Sequence, residues 1–201
     1  MRVPFSAASV LLTGLLVSCQ TTSEPLSTPE PVASSMATEQ ASELPAVPPA
    51  RGSTREAATT NTFTALQAEI LAYVNQARSA SCRCGTTTYP PALALVLNAQ
   101  LNAAAQKHAT DMATYNYFSH TGRDGSTPWA RMTREGYAWR RAGENIAAGQ
   151  TSARAVVDGW LRSPGHCANL MNANFKDLGV GYAYGAASTY KRYWVQNFGA
   201  R

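Results

Sequence analysis

Three short segments in the second half of this 201-residue chain carry side chains that could do chemistry. Phe118-Ser119-His120 ends in an imidazole. Residues 142–149 (AGENIAAG) hold Glu144. Residues 157–172 (VDGWLRSPGHCANLMN) hold Asp158 and His166. The chain has 3 histidines and only 14% charged residues, so two imidazoles and two carboxylates that converged would form a site and not surface decoration. Such a set suits a divalent ion, zinc above all, because zinc accepts nitrogen and oxygen ligands. It equally suits a hydrogen-bonded acid–histidine cluster that holds no ion. Asp158 has a further option. It lies four residues from both Arg154 and Arg162, the spacing of a helix-surface ion pair worth roughly 0.3 kcal/mol.

These residues need a scaffold, and the hydrophobic spacing supplies one. Thr64 with Gln67 three residues on, preceded by Phe63, has the form of a capping box. Leu66, Ile70, Tyr73, Val74 and Ala77 then recur at helical spacing, which predicts a helix over 65–79. Residues 82–91 read as loop. Asn98 reads as the N-cap of a helix to Tyr115, with Leu101, Ala105, His108 and Met112 on its apolar stripe, so His108 is a packing residue. Thr127-Pro128 opens a short helix that Gly136 ends, and Ser152 caps another to Arg162. Ser163-Pro164 begins one more turn, carrying His166 near its start. The helix dipole there favours a neutral ring, as ligand or base. Strands fall at 145–148, 179–184 and 190–198, the last two joined as a hairpin through 185–188. Helices around an antiparallel sheet make an α+β domain.

Taken in order, the motifs YFSH, GENIAAG, VVDGWLRSPGHCANLMN, FKDLGVGYAYG and WVQNFG resemble the CAP superfamily of cysteine-rich secretory, antigen 5 and pathogenesis-related proteins, over about residues 64–199. The resemblance implies the CAP (SCP) fold, a three-layer α-β-α sandwich around a central antiparallel sheet. It also implies that His120, Glu144, Asp158 and His166 converge in a cleft able to bind a divalent metal, zinc foremost. Asp158 departs from the glutamate common in eukaryotic members, which sets its carboxylate one methylene shorter. Asn145 and Asn169 flank these residues and could orient them. If the cleft is catalytic, Glu144 and His166 are the candidates. A Ser163–His166–Asp158 triad lacks the GxSxG elbow, and Ser163 serves better as an N-cap.

Four cysteines add a constraint. With Cys19 set aside as a lipid attachment point, Cys82, Cys84 and Cys167 remain, which predicts one disulfide and one spare thiol. Cys82 and Cys84 are too close to pair with each other comfortably, so Cys167 pairs with one of them, Cys84 being favoured. That bridge would brace His166. Closing a loop of about 80 residues stabilises by about 4 kcal/mol in the entropy model.

The N-terminus carries an address. Residues 1–18 combine Arg2 with an apolar run too short to span a bilayer, where about 20 residues are needed. Leu16-Val17-Ser18-Cys19 resembles a bacterial lipobox, in which Cys19 becomes the lipidated N-terminus. Gln20 then implies outer-membrane delivery if the cell has two membranes. Residues 19–61 are rich in Ser, Thr, Pro, Glu and Ala, have no aromatic residue, and read as a disordered tether with an r.m.s. span of roughly 36 Å. The remaining residues, 62–201, suit a single domain. The charge is uneven: from Thr62 onward there are 14 Lys+Arg against 7 Asp+Glu, and over 20–61 there are 2 against 5.

A basic, lipid-anchored extracytoplasmic domain fits an anionic neighbourhood. No nucleic-acid motif is present. The chain therefore reads as a binding module of the cell envelope, held to the membrane by its lipid, with a lipid, a glycan or an envelope protein as ligand. A metal-dependent, peptidase-like hydrolase is the alternative, with Glu144 as base, although HExxH is missing. In a third reading the four residues only stabilise the fold.

Overall fold

The computed structural model describes residues 53–201, with side chains from 65 onward. The signal sequence, Cys19 and most of the tether lie outside the described residues.

Helix α1 runs Ser53–Arg78 and thus begins ahead of Thr64, taking in the end of the expected tether. Gln67 is buried and donates through Nε2 to the Val180 carbonyl (3.0 Å), so it serves the sheet instead of a cap. Where loop was expected, β1 (Cys82–Cys84) and β2 (Thr87–Tyr89) form a small antiparallel hairpin. Its turn uses Gly85 at φ +63°.

The main sheet has four strands in the order β3 (Val96–Leu97), β5 (Asp177–Tyr184), β6 (Arg192–Ala200) and β4 (Arg141–Ala148). β4, β5 and β6 pair antiparallel. The two-residue β3, too short to show a period in sequence, pairs parallel to β5, so the sheet is antiparallel in its long strands and mixed at one margin. Between these strands lie α2 (Ala99–Tyr115), α3 (Pro128–Arg134), α4 (Ala153–Arg162) and α5 (Pro164–Met171). Asn98 caps α2 through its side chain, Thr127 caps α3 and Ser152 caps α4. Ser163 holds the corresponding position before α5 but makes no side-chain cap bond.

Two apolar layers sandwich the sheet. On one face Ile70 and Val74 of α1, Val156 and Trp160 of α4 and Leu170 of α5 bury against Leu178, Val180, Trp194 and Phe198. On the other, Ala105, Ala109 and Met112 of α2 bury against Ile146, Tyr193 and Val195. This is the α+β, three-layer arrangement that the alternating strands imply.

The seam between α2 and β5 explains why α2 lies where it does. β3 covers only the start of β5, and beyond it the main chain of β5 needs other partners. Asn102 accepts from the Val180 N–H (2.8 Å). Gln106, one turn on, accepts from the Tyr182 N–H and donates to the Tyr182 carbonyl, both at 3.0 Å. Side chains of α2 stand in for a missing strand. The approach is close enough to require glycine: a Cβ on Gly179 or Gly181 would come within 2.2 or 2.3 Å of the α2 backbone.

Candidate functional site

The site is assembled around β4, an outer strand of the sheet. Successive residues point to opposite faces, so Glu144 faces the α2/α3 layer and Asn145 faces α5. Glu144 is buried, its side chain 1% exposed. A buried carboxylate requires partners, and both of its oxygens have them. Oε1 meets His120 Nδ1 at 2.8 Å, and Oε2 accepts from Arg131 Nη2 at 2.7 Å. The buried Asn197 completes the set when its amide nitrogen faces Glu144, donating to Oε2 at 3.2 Å and accepting from the Ala105 N–H at 3.1 Å; the opposite orientation leaves its oxygen facing only acceptors.

Arg131 has no counterpart in the sequence reading. It lies on α3, is 9% exposed, and besides Glu144 donates to the Ser126 carbonyl (2.9 Å) and the His120 carbonyl (3.0 Å). It therefore fixes the carboxylate and the loop that delivers His120 together. Its distance from the motif hid it, for nothing in the local pattern at 128–134 singles out one arginine of two.

His108 also does more than pack. It is buried, and Nε2 lies 2.9 Å from the Ser119 carbonyl, which makes it the donor and fixes the neutral tautomer. It thereby pins the residue before His120. The same loop is held by the Tyr117 hydroxyl on Asp111, by an edge-on Phe118–Tyr190 contact with centroids 5.8 Å apart, and by Asn116, which is in the left-handed conformation and accepts from the Thr189 N–H at 2.7 Å.

His166 arrives from the other layer, on α5. Burial, and after it the charge of His120, holds its pKa below the ordinary histidine range. His120 is thus close enough for its charge to act on His166. α5 is tied to β4 by two amides. Asn145 Nδ2 donates to the His166 carbonyl (3.2 Å), while Asn169 Nδ2 reaches the Glu144 carbonyl (3.3 Å) and Asn145 Oδ1 (2.9 Å). Cys84–Cys167 bonds the β1–β2 hairpin to the residue beside His166. Cys82 Sγ lies 3.8 Å from Cys167 Sγ. None of the described cysteines is free, so the expected spare thiol is not found. Arg78, fully buried, secures the far end of α5 by donating to the Leu170 and Asn172 carbonyls at 2.6 and 3.1 Å.

Asp158 does not join this group. Both of its oxygens take Arg154 Nε, at 2.9 and 3.0 Å, across one turn of α4. Among the described residues it makes no hydrogen bond or ion pair with His120, Glu144 or His166. No three of the four bring ligand atoms within 4.8 Å of one another; among the described residues that closeness is reached by Cys82, Cys84 and Cys167, none of which is a free thiol. The four residues as placed do not fit a closed four-ligand ion site. The donors not already committed to a protein partner are nitrogens of His120 and His166. A separate cavity of about 620 Å³, between α2, α3 and the 122–126 loop, shares His108 and Arg131 but includes none of the four.

The sequence profile of the cysteine-rich secretory protein family, CAP, matches residues 71–198. The chain belongs to this family. An uncharacterised Bacillus subtilis protein, YkwD, is 36% identical over 104 residues, which is 52% of this chain and 38% of that protein. An uncharacterised B. subtilis membrane protein, YlbC, is 36% identical over 91 residues, 45% of this chain and 24% of that one. The chain thus spans well under half the length of either relative. Among solved structures, an extracellular SCP-domain protein of Bacillus anthracis superposes with a TM-score of 0.57 at 33% identity, covering 69% of this chain and 41% of the other. An outer surface protein of Borrelia burgdorferi shares the fold, with a TM-score of 0.55 at 22% identity over 71% of this chain and 95% of that one. The CAP α+β sandwich is therefore the fold of this chain. None of its described helices is long and apolar enough to cross a membrane.

Two outcomes follow. Arg131→Met should leave the Glu144 carboxylate buried without its cation and cost about 3–5 kcal/mol, measured by urea unfolding; a second change, Glu144→Gln, should restore part of that loss. Burial, and then the charge of Arg131, also holds the His108 pKa below its ordinary value. The unfolded chain then takes up protons first as pH falls, so stability falls with pH below about 6.5. His108→Gln keeps a donor to Ser119 without the titration. It should shrink the difference in unfolding free energy between pH 7.5 and pH 5.5, with His166 accounting for what remains.

Proposed function

We propose that this CAP protein is an extracytoplasmic binding module of the cell envelope. Cys19 carries its lipid anchor, and the His120–Glu144–His166 edge of the sheet is its primary ligand site. The observation that carries this reading is the state of Glu144. It is buried, and each of its oxygens already accepts a charge-assisted or imidazole hydrogen bond, from the buried Arg131 and from His120, which lowers its tendency to take a proton from a substrate. Such a carboxylate is a rigid support, and what it supports is His120, half-exposed and held in a fixed orientation. A fixed, half-exposed imidazole beside a second one on α5 suits recognition by hydrogen bonding better than it suits hydrolysis.

The relatives agree with an envelope location: one is an extracellular protein, one a membrane protein and one an outer surface protein. The positive balance of the domain suits an anionic surface. Lipid, glycan and envelope protein are the ligand classes compatible with that setting, and delivery to an outer membrane follows from Gln20 where the cell has two membranes.

A zinc-class ion belongs to this reading in a limited form. The two imidazoles would supply two of the four ligands zinc usually takes, and the ion would orient a ligand's oxygen or nitrogen there. Calorimetric titration of the full chain with zinc should show weak binding that His120→Ala/His166→Ala abolishes and Asp158→Asn leaves intact. Loss in Asp158→Asn as well would put the fourth residue back at the ion. Heat unchanged in the double variant would remove the ion from this site.

The anchor has its own test. The wild-type chain should fractionate with membranes and Cys19→Ser should become soluble. A wild-type chain found wholly in the soluble fraction would end the tethered part of the proposal.

A further inference from the structure

At the Arg141 end of β4, apart from the histidines, the surface carries a second cleft. Trp129 of α3 and Trp139 of the following loop form two of its walls. Their ring centroids are 6.2 Å apart and their planes tilted by 51°, so the two rings touch and form one continuous aromatic wall. Both are exposed, at 39% and 40%. Of the four tryptophans these two face solvent, while Trp160 and Trp194 are at most 2% exposed. Arg140, Arg141, Asn172 and Phe175 complete a cleft of about 360 Å³. That lies in the range of small-ligand sites, roughly 300–1,000 Å³.

Three features make this a built site and not stray apolar surface. First, the rings are oriented: Trp139 Nε1 donates to Thr133 Oγ1 at 3.2 Å, and the Arg140 N–H is fixed on the Ala200 carbonyl at 2.8 Å. Second, the charges are unspent. Arg140 and Arg141 are exposed, and among the described residues neither guanidinium makes an ion pair, a hydrogen bond or a contact over a ring. Most other arginines of the domain do, among them Arg78, Arg131, Arg134 and Arg154. Third, no acidic side chain lines the cleft. A continuous aromatic wall presents a surface for a C–H-rich body to lie against, and two free guanidinia beside it bind a carboxylate in paired hydrogen bonds.

We propose that this cleft binds a carboxylate-bearing sugar unit of an acidic polysaccharide, with Trp129 and Trp139 against the ring and Arg140 and Arg141 on the carboxylate. A membrane surface is the less fitting occupant. Insertion needs aromatics that protrude, whereas these are more than half covered and line a concavity. The inference rests on the envelope-module reading only for where such a polymer is met.

The probe is oligogalacturonate, titrated into the full chain in detergent and followed by tryptophan emission and by calorimetry. A neutral malto-oligosaccharide of equal length and phosphatidylglycerol vesicles serve as comparisons. Because Trp160 and Trp194 are buried, a ligand-induced emission change reports on Trp129 and Trp139. Oligogalacturonate should bind and the neutral oligomer should not. Arg140→Gln/Arg141→Gln and Trp139→Ala should each weaken binding by about tenfold or more, with Trp139→Phe keeping most of it. His120→Ala/His166→Ala should leave it unchanged, which separates this cleft from the histidine site. The proposal is overturned by any of three results: no binding by the wild type, binding that Trp139→Ala leaves intact, or vesicle binding that depends on the same residues while the oligosaccharide is ignored.

Discussion

A carboxylate placed in the apolar layer between a sheet and a helix must be neutralised, and Glu144 imposes that requirement on everything around it. The strand puts it there by parity: Ile146, two residues on, belongs to the apolar layer beneath α2, so Glu144 must face the same way. Arg131 reaches it from α3 and Asn197 from the neighbouring strand, opposite Glu144 in the β4–β6 register. His120 reaches it from a loop. That loop has no regular secondary structure of its own and is ordered by what it touches, namely Glu144, Arg131, His108 and Tyr190. The site and the stability of its surroundings are therefore one problem. A change meant to probe the first also disturbs the second.

The same parity divides the histidines. Asn145, adjacent to Glu144, faces α5 and with Asn169 ties that helix to the strand, so His166 approaches from the layer opposite His120. The arrangement works because β4 is an outer strand; in a central strand the two layers would be separated by a neighbour. The disulfide at Cys167 and the buried Arg78 hold the two ends of α5. An eight-residue helix has little intrinsic stability, and these ties supply what its length does not.

Most of the architecture was legible because caps and periodicity are local. Asn98, Thr127 and Ser152 each sit where their side chains accept the first helical N–H groups. The three long strands are buried on both faces through most of their length, and their apolar and aromatic residues between turn signals marked them. What was illegible was non-local. The two-residue β3 exists only because β5 is beside it. Gln67 looked like a cap and is a sheet partner. α1 begins ahead of Thr64, because the Thr64–Gln67 spacing that looks like a cap is met by a Gln67 side chain committed to β5. In the site, Glu144 and His120 meet, His166 is near, and Asp158 is an ion pair with Arg154. The i,i+4 spacing had already given that last alternative. Arg131 could have been sought by asking which cation neutralises a carboxylate on an otherwise apolar strand face, a question of type and not of spacing.

The saturation of Glu144 also bears on what kind of chemistry this edge can support. A catalytic acid or base is kept incompletely satisfied so that substrate completes it. Here both carboxylate oxygens are engaged without a ligand, and the more accessible group is the imidazole it holds. A ligand that bonded His120 would gain from a donor or acceptor already oriented, and would be spared the entropic cost of fixing it. Drawing Glu144 itself into a reaction would first require breaking its contact with Arg131 in a region sealed from water, where an unpaired charge is most costly. The physical bias of the site is toward holding something in place, and the half-exposed face of His120 is where that contact begins.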